Sequence, residues 1–155
     1  MRKTKFNWVQ FDKGIFLVNV LGIIYNPRTG KILIGRGEKD PYIKQLTWCF
    51  PGGRPVYGEE LEDALKHQIK IKTGLDVEVK GTIFAKTYPE KREFLSIYYI
   101  CEVVGGKEKV GKELVELKWV RPTEVKKFFT TSLHPKLFKY LKALEKKKKL
   151  LSSRS

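Results

Sequence analysis

The chain has 155 residues, about one domain's worth, with 41% apolar and 12% aromatic residues, enough for one sizeable core. Lys and Arg number 32 against 17 Asp and Glu, a formal charge of +15 that attracts polyanions: nucleotides, nucleic acid or anionic lipid. Cys49 and Cys101 lie far apart and form no C-x-x-C pair, which excludes a disulfide scaffold or a zinc knuckle as the organising principle. The expectation is a single domain over residues 1–155 in a reducing cytoplasm.

The basic start, Met1-Arg2-Lys3-Thr4-Lys5, precedes a mostly apolar run from Ile15 to Tyr25. A signal peptide does not fit, because Asp12-Lys13-Gly14 interrupts, Asn19 lies inside the run and no small-residue cleavage site follows. The run is also far short of the roughly 20 residues a membrane-spanning helix needs. It reads as a buried strand, and no membrane partner is expected. Asn26-Pro27-Arg28-Thr29-Gly30 is a turn signal, and Lys31 to Arg36 returns as the second arm of a hairpin. Trp48 to Phe50 is a short strand that stops at Pro51-Gly52-Gly53.

Glu59 to Thr73 reads as a helix, with Leu61, Ala64, Leu65, Ile69 and Lys72 at spacings of three and four. Gly74 ends it as a left-handed cap. Val77 to Lys86 and Glu93 to Val104 have strand composition, with Tyr88-Pro89-Glu90-Lys91 as the turn between them and Gly105-Gly106 after. Leu114 to Val120 is a further strand. Pro122-Thr123-Glu124 opens a short helix through about Phe129. His134-Pro135 opens the last helix, with Leu137, Leu141 and Leu144 on one face and Lys136, Lys139, Lys142 and Lys146 away from it. Residues 146–155 form a basic, polar tail expected to fray. The order predicts one α+β domain.

The most informative stretch is Trp48-Cys49-Phe50-Pro51-Gly52-Gly53-Arg54-Pro55-Val56-Tyr57-Gly58-Glu59, followed by the helix and Gly74-Leu75. Here the sequence resembles the Nudix superfamily. That family's box reads G, five residues, E, seven residues, R-E, an aliphatic, any, E-E, any, G, an aliphatic. Gly53, Glu59, Ile69, Gly74 and Leu75 match it without gaps, and Trp119-Val120 before Pro122 matches beyond it. The resemblance spans roughly residues 15 to 145. It implies an α/β/α sandwich, mixed sheets flanked by the box helix and a C-terminal helix.

The resemblance also implies Mg²⁺ or Mn²⁺ held by box glutamates against a pyrophosphate, since hard cations take carboxylate oxygens. Here the box arginine is His67, the first glutamate Gln68, and the other two Ile71 and Lys72. All three carboxylates are absent, and an ammonium a few ångströms from a divalent cation repels it. At 100° per residue, Leu61, Ala64, Leu65, Ile71 and Lys72 lie within about 60° of Gln68. Glu59, Glu62 and Asp63 point elsewhere and suit the helix dipole. A rebuilt metal site would need Glu60 with Glu108, Glu113 or Glu116. The family branch that hydrolyses GDP-mannose keeps a reduced box and a histidine base, yet its remaining box glutamate aligns with Lys72. His134, just before Pro135, reads as a structural residue.

No catalytic residue and no metal ligand is therefore assigned, and no cofactor is expected; Mg²⁺ or Mn²⁺ enters only if ordinary hydrolysis survives. The candidate ligand-binding residues are Arg36, Gly52, Gly53, Arg54, Gln68 and Lys72, with Lys39 a lesser candidate. Arg36 and Arg54 offer guanidinium forks for phosphate. Gly52 and Gly53 are expected to adopt backbone angles closed to other residues. Lys72 either meets a diphosphate where the metal would lie or extends to solvent at the helix end. Tyr25, Tyr57, Tyr98 and Tyr99 are weighed as base-stacking residues against core packing.

The expected function is a Nudix-superfamily protein without ordinary hydrolase activity that binds a nucleotide or nucleoside-diphosphate-type ligand, as a sensor or accessory subunit. The alternative is a divergent hydrolase cleaving a nucleoside diphosphate linked to another group, with displaced metal ligands. A third reading is an RNA-binding module using the lysine-rich C-terminus. A second copy of the chain, as a homodimer, is a further candidate partner.

Overall fold

The computed structural model describes residues 13–38, 40 and 47–153, without the side chains of 148–153. Lys39 and the basic start before residue 13 lie outside the described residues. The elements are strands β1 (Leu17–Asn26), β2 (Lys31–Arg36), β3 (Trp48–Cys49) and β4 (Gly52–Gly53), helix α1 (Leu61–Thr73), strands β5 (Leu75–Tyr88), β6 (Lys91–Gly106) and β7 (Glu116–Val120), a 3₁₀ turn (Pro122–Glu124), and helices α2 (Val125–Phe128) and α3 (Pro135–Ser153).

The strands join into one mixed sheet with a central order β3-β2-β1-β6-β5. β1 and β6 pair in parallel, while β5 and β6 form a long antiparallel hairpin. β7 closes the far side of β2, with Ile32 opposite Val120 and Arg36 opposite Glu116. Side chains alternate across the sheet, as strand geometry demands. Ile23, Tyr25, Ile32 and Ile34 face one side and pack with Leu137, Leu141 and Leu144 of α3. Val20, Ile24 and Leu33 face the other and pack with Leu65 and Ile69 of α1. This is an α+β fold with the sheet between the box helix and the C-terminal helix. Helix α3 runs to Ser153, through the segment where fraying is expected.

One departure from simple pairing positions the site. β1 pairs with β2 only at Ile24, Tyr25 and Asn26. Nearer its start it takes up β4 instead, with Val20 opposite Gly53 and Leu21 opposite Gly52. The Gly22 N–H donates to the Pro51 carbonyl at 2.8 Å, locking the Pro51-Gly52-Gly53 segment against the strand. β1 thus parts from β2, and a cleft opens in front of β3 and β4.

Candidate functional site

The cleft has a volume of about 650 Å³, within the range of small-molecule sites. Its floor is Asn19 and Leu21 of β1 and the run from Cys49 to Arg54. One wall is Gln68, Ile71 and Lys72 of α1; the other sides are Lys112–Leu114, the Gly37–Glu38 and Asp40 region, Tyr88 and Phe94.

Helix α1 begins after Glu60, not at Glu59, and places Glu62 and Asp63 in its first turn. Glu59 instead lies 3.5 Å from His67 Nδ1. Gly74, at φ 75°, is the left-handed cap that the sequence predicts, its N–H bonded to the Lys70 carbonyl. The chain after β6 then folds back onto the end of this helix. The Lys109 N–H donates to the Thr73 carbonyl and the Gly111 N–H to the Lys72 carbonyl, each at 2.8 Å. These bonds satisfy carbonyls that a helix end leaves open and carry Lys112, Glu113 and Leu114 into the cleft.

Lys72 decides the character of the site. Its side chain is only 16% exposed, so it does not extend to solvent. The ammonium donates to the Gly52 carbonyl, which belongs to the glycine segment of the box. It also lies 3.6 Å from a Glu113 carboxylate oxygen. A cation therefore stands between the box helix and the glycine loop.

The two glycines serve a purpose other than the expected one. Neither has positive φ; they form β4 in extended conformation. A Cβ on Gly52 would lie 2.0 Å from the Val20 carbonyl oxygen, and one on Gly53 would lie 2.7 Å from Gln68 Oε1. Close approach of backbone to strand and helix is what demands glycine here.

Of the predicted site residues, Gly52, Gly53, Arg54, Gln68 and Lys72 are brought together. Arg54 also lies over the Phe94 ring, 5.7 Å from its centroid. Arg36 is not brought in. It bonds Glu116 at 3.0 Å and Glu38 at 3.2 Å, and these carboxylates hold its guanidinium protonation above the ordinary arginine range. Tyr25, Tyr98 and Tyr99 are buried in the cores and Tyr57 is fully exposed, so none of the four lines the cleft. Tyr98 stacks on Phe84 instead, at 5.4 Å. Tyr88, which reads as a turn residue in sequence, lines the cleft because β5 runs farther than its composition suggests. His134 packs on Phe84 and accepts the Lys136 N–H at 3.1 Å, a structural role as expected.

The rebuilt carboxylate site does not assemble. Glu108 accepts from Trp119 Nε1, Glu116 is bound to Arg36, Glu60 is not among the cleft residues, and Glu113 faces Lys72. Among the described residues no group of three His, Cys, Asp or Glu side chains has the geometry to hold a metal ion. No described helix is long and apolar enough to cross a membrane.

Sequence reasoning does not single out Cys49, a residue of the cleft floor. Burial pushes its thiol up to about 11, against the nearby Lys72 charge, which lowers it, and with Asp40, which raises it.

Comparison with known proteins agrees with this architecture. The profile of the NUDIX domain family matches residues 16–142. An ADP-ribose pyrophosphatase of Methanocaldococcus jannaschii is 33% identical over 105 residues, covering 66% of this chain and 60% of that protein. The chain thus matches less than two thirds of that relative's length. The nucleoside triphosphatase NudI of Escherichia coli is 28% identical over 108 residues, covering 62% of this chain and 77% of that protein. Among solved structures, a NUDIX hydrolase from Nitrosomonas europaea superposes with a TM-score of 0.68 at 17% identity, over 83% of this chain and 71% of that one. A MutT protein from Methanosarcina mazei Go1 gives 0.66 at 19% identity, over 83% and 94%. At such identities these two likenesses speak for the fold.

Proposed function

Because the chain belongs to the NUDIX domain family, we propose that its cleft binds a nucleotide or nucleoside-diphosphate-type ligand, without ordinary hydrolysis, as a sensor or accessory subunit. The family typically works with Mg²⁺ or Mn²⁺. The residues at the box do not fit such an ion: the three carboxylate positions hold an amide, an alkyl group and an ammonium, Gln68, Ile71 and Lys72. The observation that carries the reading is the position of Lys72, folded into the cleft against the Gly52 carbonyl. An ammonium there supplies a charge-assisted contact to phosphate, worth about 1.5–3 kcal/mol, with Arg54 from the loop side. It has none of a metal's power to activate water.

Calorimetry with ADP-ribose, ADP and nucleoside triphosphates, with and without EDTA, tests this. Binding indifferent to EDTA and weakened about tenfold or more by Lys72→Glu is expected. Equal binding by the mutant in EDTA would remove Lys72 as a phosphate anchor.

The second reading is a divergent hydrolase with displaced metal ligands. It is favoured by the carboxylates of Glu38, Asp40 and Glu113 along the cleft and by the hydrolase names of the relatives. Turnover that tracks the purified protein and is abolished by EDTA would establish it. A third reading, an RNA-binding surface, is supported by the lysines on the outer face of α3.

A further inference from the structure

We infer that Glu113 is an internal counter-anion that occupies the phosphate position beside Lys72 and must be displaced by an incoming ligand, so that Glu113 sets the affinity of the cleft for anions. This rests on the reading of the cleft as a nucleotide site.

Three observations lead to it. The cleft is formally balanced among the described residues: Arg54, Lys72 and Lys112 face Glu38, Asp40 and Glu113. The surplus of a +15 chain is thus not carried by the described residues of this cleft. Lys72 is mostly buried, and a buried ammonium deprived of an anionic partner is strongly disfavoured. Glu113, by contrast, is 64% exposed, so its carboxylate regains water when it lets go. The exchange of a carboxylate for a phosphate keeps the ammonium partnered and frees the group that solvent receives more readily.

The backbone shows that Glu113 is held in this place. It is the single non-glycine residue at positive φ among those described, at 68°, a conformation uncommon for such a residue and frequent at ligand sites. The loop around it is pinned at both ends, by Gly111 N–H to the Lys72 carbonyl and Val115 N–H to the Arg36 carbonyl, each 2.8 Å. Gly111 lies so close that a Cβ would be 1.9 Å from the Ile71 carbonyl oxygen. The loop therefore stays in place when the ligand enters, and the Glu113 side chain alone turns away. Its charge remains nearby and continues to oppose the ligand.

Binding of ADP-ribose in EDTA is measured for the parent, Glu113→Gln and Lys72→Met, with uncharged adenosine as the control. Glu113→Gln keeps the side chain's size and removes its charge. It is expected to bind ADP-ribose about tenfold tighter and adenosine as the parent does, with an unchanged melting temperature. Unchanged or weaker ADP-ribose binding by Glu113→Gln, while Lys72→Met loses it, overturns the counter-anion and leaves the cleft reading standing. Equal gains for ADP-ribose and adenosine also overturn it, since charge is then not the cause. If Lys72→Met binds ADP-ribose as the parent does, or the parent does not bind it, the cleft reading fails and the counter-anion fails with it.

Discussion

Gln68 Oε1 occupies the space that a side chain on Gly53 would need, 2.7 Å from the ideal Cβ position, whereas Gly52 faces the Val20 carbonyl oxygen at 2.0 Å. The first obstacle is the end of a flexible side chain; the second is strand backbone. Gly53→Ala should therefore cost about 1 kcal/mol or less and turn Gln68 within the cleft. Gly52→Ala should cost about 3 kcal/mol or more, because β1 or β4 must move. Urea unfolding of both variants checks the contrast. Equal destabilisation would mean that the glycines are needed for one shared reason.

That pair also shows where the sequence stops being readable. Pro51-Gly52-Gly53 looks like a turn, since glycine is the residue of left-handed backbone. Yet glycine is equally the residue of close approach, and only the partner surface separates the two. The box helix was legible because its 3.6-residue period and Gly74 are local signals. The 100° rotation sets Lys72 on the same helix face as Gln68, but its partner Glu113 comes from a loop anchored by backbone bonds, which composition does not report. Tyr98 and Tyr99 were legible as strand residues, and the pairing with β1 then buries both. Arg36 lies outside the cleft for the same reason. Its neighbour Glu116 is fixed by the β2–β7 register, far away in the chain.

Arg36→Met tests that correction. The guanidinium is committed to Glu116 and Glu38 and is not among the cleft residues. Nucleotide affinity should stay within about twofold of the parent, and Arg54→Met should lower it more. A loss in Arg36→Met matching that of Arg54→Met would return Arg36 to the site.

The thiols report on the cleft from another direction. Burial raises Cys49 to about 11 and Cys101 to about 12. Only the thiolate reacts, so near pH 8 a small fraction of Cys49 is reactive. Higher intrinsic nucleophilicity offsets part of this. Iodoacetamide should modify Cys49 at least about tenfold more slowly than a free thiol, with the rate rising about tenfold per pH unit below 11. Lys72 lowers the Cys49 value, so Lys72→Met should slow the reaction further. A fast equivalent of thiol in the native protein at pH 8 would contradict the raised value of Cys49 on the cleft floor.

The last prediction concerns the outer face of α3. At 100° per residue, Lys136, Lys139, Lys142, Lys146 and Lys147 fall within an arc of about 140°, away from buried Leu137, Leu141 and Leu144. All five are exposed, and among the described residues none stands in an ion pair. Glu145 lies off the arc, its carboxylate taken by the Thr123 N–H at 2.9 Å and hydroxyl at 2.6 Å. Lys126 from α2 joins the patch, since Lys126 and Lys142 both lie over the Phe138 ring, at 3.7 and 5.0 Å. Among the described side chains, the apolar residues on the arc are Pro135 and Ala143, both small, which suits a phosphate backbone better than insertion into lipid. Each phosphate neutralised on a single strand contributes roughly 0.7 to the slope of log affinity against log salt. Changing Lys136, Lys139 and Lys142 together to Ala should therefore flatten the slope for oligo(U) by about 2 and leave ADP-ribose binding in the cleft untouched. The melting temperature should hardly move, because exposed lysines bury little. If the slope is unchanged, the arc makes no phosphate contact and its charge serves solvation alone; if ADP-ribose affinity falls in parallel, cleft and helix are not separate sites.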